Sequence, residues 1–593
     1  MSDFIFSRSN IEPGKITEDI LSIYHEEYPL VEEFHGEWGS LGVSKNLYNG
    51  FNSYENNQFI TIVLGGPLLM FRDNSFLKEN DNSEGTKAIL DRWLTSEINW
   101  DEDLSGPFVV LIVDKKTSEI TCITDLMSFI PVYTYSDVTN IVLATHIDAL
   151  AKTTQQSHLL DNVSLVDFVL NGIVTFPYTT YQNIKQILPG SIHTVERESV
   201  KLSTENYWLP LEKSRYKSIN EASSDLRKNL QMFINKITNE TDHIAQFISG
   251  GEDSRTLSGL LKDHQRKAFI FIDEMNREGE IARKVANIYD AQIKISTRNK
   301  LHYLDILPNC SDLVGSGSQY HHAHTYGFHN SCKLNSYDAV FGGLYSDALL
   351  KGKAIKKKKQ PRYFPFFPDT KSNDQSREHI PKSHLFEQAV VEEIKLRRKE
   401  HLNYLKTLRE KSAEEWFGLW PVSMNASVPN IHANRRLFRS YEPFMSSEII
   451  KMSACIPQEW KLNRRLFYRT AKPYLKSSKW VLHGDGWLPS QPWYINKFVH
   501  FSTRIYRKVA KKVGRLKGNQ GPWGDWNLMV HSSKWKKFLE NKESLTKLPV
   551  IDHKISVQEI LDTRLLSIEQ YVNLTQVLYE LDKKDQSNQM YEQ

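Results

Sequence analysis

Cysteine is scarce in this chain: four occur in 593 residues, Cys122, Cys310, Cys332 and Cys455. No two of them stand in a Cys-x-x-Cys pair, which argues against a disulfide framework and against a zinc knuckle. An excess of charge of one sign is also lacking, because 75 basic residues nearly cancel 71 acidic ones. Nothing in that balance demands nucleic acid or a membrane as partner, and neither is expected. Nowhere do about 18 apolar residues run together, and Met-Ser-Asp-Phe-Ile-Phe lacks a basic segment followed by an apolar one. A membrane span and an export signal are therefore not expected, and a reducing cytoplasm fits best. What is present is 40% hydrophobic and 11% aromatic residues, enough to fill two or three cores.

The most informative stretch is Phe247-Ile248-Ser249-Gly250-Gly251-Glu252-Asp253-Ser254-Arg255, an apolar strand running into two glycines and then a helix. Adjacent glycines let the backbone turn tightly and bring N–H groups close to phosphate oxygens. The helix start adds partial positive charge. Ser249 and Ser254 can donate to phosphate, and Asp253 is a hard oxygen ligand suited to magnesium. Arg255 places a cation in the first turn of a helix, against the dipole, where a bound anion or an ion pair would offset the cost. The bland alternative is a Gly-Gly turn between strand and helix. The motif resembles the pyrophosphate loop of the N-type ATP pyrophosphatases, which include asparagine synthetases and β-lactam synthetases. That resemblance implies ATP cleaved at the α-phosphate, with Ile248, Ser249, Gly250, Gly251, Asp253, Ser254, Arg255 and Phe271 around the nucleotide.

Short apolar runs at Phe59–Leu64, Phe108–Val113 and Ile120–Ile123 read as sheet strands. Their order, the phrases Leu104–Phe108 and Asp125–Tyr133, the passage Val142–Leu150 and the hairpin Ile184–Ile192 resemble the glutaminase domain of class B asparagine synthetases. The family's nucleophile is a cysteine at the second position, and here that residue is Ser2. A serine hydroxyl is a far weaker nucleophile than a partly ionised thiol, so a structural relic is expected, with a serine amidohydrolase as the rival.

Beyond Tyr207-Trp208-Leu209-Pro210 the run Ala268–Ile272, the helical spacing of Glu280–Ile288 and the run Gln292–Ile295 read as βαβαβ. In such open sheets ligands sit beyond the carboxyl ends of the strands. A second cluster, Gly342-Gly343-Leu344-Tyr345-Ser346-Asp347, resembles the family's Ser-Gly-Glu-Gly-Ser-Asp-Glu segment. By that resemblance Asp347 joins Asp253 as a magnesium ligand, Gly342 and Gly343 allow close approach, and the family's acidic residue falls on Leu344. Tyr345 is a candidate general base, with packing as its alternative. Asn434–Phe444 and Arg464–Arg469 also match family segments in order. Lys479 is the candidate for the family's charge-stabilising lysine, with Lys476 and His483 as substitutes.

His321, His322, His324 and His329 are dense but lack acidic or cysteine partners at metal spacing; a pocket-lining or solvated face is expected. The basic run Lys351, Lys353, Lys356–Lys359 and Arg362 reads as a solvated loop that could screen pyrophosphate or recruit an acidic peptide. Arg504–Lys517 reads as a basic helix, with membrane-surface contact as a remote second reading. The tail after Asp582 reads as disordered.

The expected architecture is α/β: an Ntn-hydrolase-like αββα sandwich over 1–210, and over 211–593 an adenine-nucleotide α-hydrolase-like parallel sheet flanked by helices. The implied function is an ATP- and magnesium-dependent, AMP-forming amide ligase, in which ammonia or an amine attacks an adenylated small-molecule or peptide carboxylate. A peptide-delivering partner protein would suit a peptide substrate. An intramolecular cyclase of the lasso-peptide or β-lactam synthetase type, and a non-catalytic nucleotide binder, are the alternatives.

Overall fold

The computed structural model describes all residues except 1–2, 198, 359–366, 373–379, 515–517, 541–547, 549–564 and 593. Two six-stranded antiparallel sheets face each other in the N-terminal part. One is built from Phe4–Ser7, Val31–Gly36, Gly39–Ser44, Tyr133–Ser136, Ile141–Ala144 and Ile184–Gln186. The other comprises Tyr54–Glu55, Phe59–Gly65, Phe108–Asp114, Ile120–Thr124, Ser191–Val195 and Ser203–Asn206. Strand alternation sends Phe4, Phe6, Ile60, Ile62, Leu64, Val109, Leu111 and Val113 into the layer between the sheets. Their neighbours Val63, Val110 and Ile112 turn outward into a second core shared with helix Glu84–Leu94 and with the C-terminal half. Because both faces are buried, these strands read as continuous apolar runs rather than alternating ones. The strand Phe4–Ser7, too short to stand out by local pattern, sits between Ile141–Ala144 and Gly39–Ser44.

The C-terminal half holds a five-stranded parallel sheet in the order Gln292–Thr297, Arg266–Ile272, Ile244–Phe247, Ala339–Phe341, Ser440–Tyr441. From Ile244–Phe247 the chain steps outward twice, then returns to lie on the other side of its starting strand. The order therefore reverses between Ile244–Phe247 and Ala339–Phe341, the position where open α/β sheets leave a crevice. Helix Arg277–Ile288, capped by Asn276 accepting from the Gly279 amide at 3.1 Å, covers one sheet face through Ile281, Ala282 and Val285. Helix Ile568–Glu592 carries Tyr571, Val572, Leu574, Val577 and Leu578 into the core, and it continues past Asp582, where disorder was expected.

The halves are pinned together by a buried ion cluster. Asp3 accepts from Arg435 at 3.0 Å and from Arg436 at 2.6 and 2.8 Å, and Tyr24 and Thr145 complete its shell. Despite its burial, the two guanidiniums hold the Asp3 carboxyl well below the ordinary carboxylate range. Trp420 adds a hydrogen bond from Nε1 to the Leu126 carbonyl at 2.9 Å.

Candidate functional site

Three adjacent strands of the parallel sheet end together and deliver three acidic loops to the crevice. Ile244–Phe247 leads into the Ser249–Asp253 turn, Ala339–Phe341 into Gly342–Asp347, and Ser440–Tyr441 into Glu442. The turn is braced by its own hydroxyls: Ser254 Oγ accepts from the Ser249 amide at 3.0 Å, and Ser249 Oγ accepts from the Gly251 amide at 3.1 Å. Helix Glu252–Leu260 then starts at Gly251 without a side-chain cap, which leaves its first turn open to an acceptor. The Gly250 amide already donates to one, Glu278 Oε1, at 2.6 Å. Burial raises the Glu278 carboxyl from its ordinary value.

Asp253 and Asp347, named from sequence as a magnesium pair, are brought together. The cation between them is Lys351, whose Nζ lies 2.6 and 2.7 Å from the Asp253 oxygens, contacts Asp347 and stands 3.2 Å from Glu252. It also sits 4.7 Å from the centre of the Phe467 ring. Burial disfavours the Lys351 ammonium, but Asp253 and Asp347 outweigh it and raise its pKa. Glu252 is further paired with Arg464, Nε to Oε1 2.7 Å, and that guanidinium lies 3.5 Å from the centre of the Trp487 ring. Two carboxylates from different loops thus converge on one cation-sized position, a donor set of the kind divalent cations use on phosphates.

The glycines serve close approach of carboxylates. A Cβ on Gly343 would stand 3.0 Å from Asp253 Cβ, and one on Gly342 would stand 2.0 Å from Glu442 Oε1. Glu442 accepts from the Leu344 amide at 2.9 Å, so an acid sits against the position where the asparagine synthetase pattern has one and this chain has leucine. Burial pushes the Glu442 carboxyl up to about 8.

Several residues singled out from sequence stand elsewhere. Arg255 is buried, and its guanidinium donates to the carbonyls of Val481 at 2.7 Å, Leu482 at 3.1 Å and Gly250 at 3.2 Å. It ties the Val481–Leu482 segment to the turn, because backbone carbonyls meet its donors where an anion was expected. Tyr345 turns away into the seam between the halves, edge-on to Phe129 at 5.5 Å, its hydroxyl 3.4 Å from the Leu419 carbonyl. Burial raises its pKa, the wrong direction for a base at neutral pH. Lys479 is exposed, with its ammonium over the Trp480 ring. From that same stretch it is His483 that nears the turn, its Nε2 3.9 Å from where a Gly251 Cβ would be. Ile248 is buried and its amide donates to Phe269 at 2.9 Å. Phe271 has one face stacked on Phe328 at 4.4 Å.

Glu278 joins the site without a sequence motif to mark it, whereas Lys351 comes from the basic run and Glu442 and Arg464 from the two family-like segments, none of the three named from sequence as a site residue. The available signal for Lys351 is its position four residues after Asp347, neighbours on one helical turn. Lys359 and Arg362 of the same basic run lie outside the described residues. His321, His322 and His324 join Trp523 and Trp526 in an aromatic cluster. Among the described residues no three or more His, Cys, Asp or Glu side chains are grouped to hold a metal by themselves, so a cation at Asp253 and Asp347 would need oxygens from a bound phosphate as well.

The antiparallel sandwich also carries the family evidence. A model described as a glutamine amidotransferase domain matches residues 78–208. That segment is glutamine-amidotransferase-like. No curated protein matches the chain. Solved structures with a partial likeness include the allosteric regulatory enzyme of purine biosynthesis, 11% identical over 51% of this chain and 82% of that one at a TM-score of 0.26. Another is the glutamine phosphoribosylpyrophosphate amidotransferase from B. subtilis complexed with ADP and GMP, 10% identical over 50% and 91% at a TM-score of 0.23. Likenesses at these scores carry no argument for function. Within the amidotransferase-like segment the one cysteine, Cys122, is buried between the sheets, and burial pushes its thiol up to about 12. Such a thiol is inert as a nucleophile. Ser2, which stands where the family has its nucleophilic cysteine, lies outside the described residues.

Proposed function

We propose that the protein is an ATP-dependent, AMP-forming amide ligase of the asparagine synthetase type. The observation that carries this reading is the convergence of Asp253 and Asp347, from two strand ends flanking the topological switch point, on one cationic position. In this reading Ser249, Gly250, Gly251 and Ser254 cradle the phosphates of ATP, and Asp253 and Asp347 hold magnesium. Magnesium would supply charge neutralisation on the departing pyrophosphate.

The substrate carboxylate oxygen bonds to the α-phosphorus as pyrophosphate leaves; an amine then attacks the acyl carbon, AMP leaves with the bonding pair, and the amine's surplus proton passes to solvent. Lys351, Arg464 and the helix start would stabilise negative charge that grows on the phosphates. Turn and helix position them; Arg255 keeps the Val481–Leu482 segment closed against the turn. Because Ser2 stands where the glutaminase family has its nucleophilic cysteine, and a serine hydroxyl is a far weaker nucleophile, the nitrogen in this reading comes from free ammonia or from an amine on the substrate. An amine within the same molecule would make the reaction a cyclisation.

The test is release of pyrophosphate and AMP from magnesium-ATP by the full chain, with ammonia and a panel of aspartate, sugar acids and peptide acids, against Asp253→Asn. Substrate-dependent release of both products, lost in the variant, is the expected result. ATP binding without release under every substrate would favour a nucleotide-binding relative. Absence of ATP binding would overturn the reading.

A further inference from the structure

Helix Trp493–Lys512 packs onto the protein by one side. Asn496 is buried there and donates to the carbonyls of Leu488 and Gln491, both at 2.8 Å. One and a half to two turns on, Thr503 donates to Gly486 at 2.7 Å, and Ala510 is buried on the same side. The other side points away from the core. Tyr494, Phe498, Phe501, Ile505 and Val509 follow one another at steps of three or four residues, so they form one stripe along the helix. All five are exposed, between 44% for Phe501 and 62% for Phe498. Apolar stripes of this kind normally face a core, and a large exposed one marks a binding surface.

Charge selects what that surface fits. The twenty residues of the helix hold six Lys or Arg and no Asp or Glu. At about 100° per residue, Arg504, Lys508 and Lys511 fall along one flank of the stripe and Lys512 at its end. All four are exposed. A second copy of the chain would set six cations against six, so self-pairing is opposed. A nucleic acid duplex would meet the cations and leave the aromatic stripe in water, and the aliphatic Ile505 and Val509 in that stripe offer a single strand no ring to stack on.

We propose that Trp493–Lys512 is an interfacial helix that lays its Phe498–Ile505 stripe onto an anionic lipid surface. Rings enter the headgroup boundary, and the flanking cations meet lipid phosphates and carboxylates. The helix lies in the plane of the surface; no helix among the described residues is long and apolar enough to cross a membrane. Near-neutral total charge, which argued against a membrane partner, conceals this local concentration.

Flotation of the full chain with vesicles tests it. With phosphatidylcholine vesicles carrying about 30 mol% phosphatidylserine in about 0.1 M salt, the protein should float with the lipid, and about 0.5 M salt should release it. Pure phosphatidylcholine should recover little. Ile505→Ser combined with Val509→Ser should cut partitioning by about tenfold or more, with an unchanged thermal melt because both side chains are exposed. A chain that stays in solution with the anionic vesicles overturns the proposal, as does equal binding by the double variant. A wild-type dimer by light scattering that the double variant dissolves, without vesicle binding, assigns the stripe to a second copy and overturns it as well.

Discussion

Lys351 and Asp253, 98 residues apart in sequence, meet in a two-pronged ion pair, with Nζ 2.6 and 2.7 Å from the two carboxylate oxygens. Asp347 and Glu252 share the same ammonium. The acidic turn of the strand–turn–helix motif and the acidic loop beside it are therefore joined by a positive charge the protein itself carries.

Replacing Lys351 by Met removes that charge and leaves Asp253 and Asp347 facing each other across a half-buried crevice. The expected cost is about 2 kcal/mol of stability, read as a lower urea midpoint. Pyrophosphate release should fall by about tenfold or more, since a cation placed for the phosphates is lost. A variant with unchanged midpoint and unchanged release would show that Lys351 neither joins the loops nor serves the chemistry.

Glu442 makes stability depend on pH in a defined direction. Its folded-state value of about 8 lies above the ordinary carboxyl value of 4.5, so its contribution is complete below the ordinary value and is lost as pH rises through about 8. The melting temperature of the wild type should fall between about pH 5 and pH 8, and Glu442→Gln should flatten part of that fall. Parallel melting curves for the two proteins would contradict the burial of an acid there.

Asp3→Ala should be among the more damaging single substitutions, because it strands Arg435 and Arg436 side by side without their counter-ion. Breaking a buried pair in this way costs about 3–5 kcal/mol. Urea denaturation reads the loss directly, and a shift below about 1 kcal/mol would mean that solvent reaches the guanidiniums.

Tyr345→Phe removes one hydrogen bond of 3.4 Å to Leu419, and Lys479→Met removes an exposed charge. Both variants should keep pyrophosphate release within about threefold of wild type, a change of under about 1 kcal/mol. A hundredfold loss in either would restore that residue to the catalytic machinery and would require the loop to rearrange around substrate.

The amino-acid sequence by itself determined the features that local pattern controls. Phe59–Leu64, Phe108–Val113 and Ala268–Ile272 declare themselves as strands because both faces are buried. Ser249-Gly250-Gly251 declares a tight turn through its adjacent glycines, and at Gly250 a Cβ would stand 2.7 Å from Glu278 Oε2. Asp253 and Asp347 were legible as a pair only through the resemblance of their two segments to those of the asparagine synthetases; that their strands lie side by side is seen in the sheet. Only tertiary structure decided the partners of charged groups. Whether Arg255 meets an anion or three carbonyls depends on where Val481 and Leu482 fall, 226 and 227 residues away. Lys351 is set apart in sequence from the lysines after it only by its spacing of four from Asp347, and it became the central cation because tertiary packing brings Asp253 to the same ammonium. Glu442 became an acid of the crevice because Ser440 and Tyr441, just before it, pair with Val340 and Phe341. Those choices rest on long-range packing, where burial and the sum of neighbouring charges outweigh any local preference.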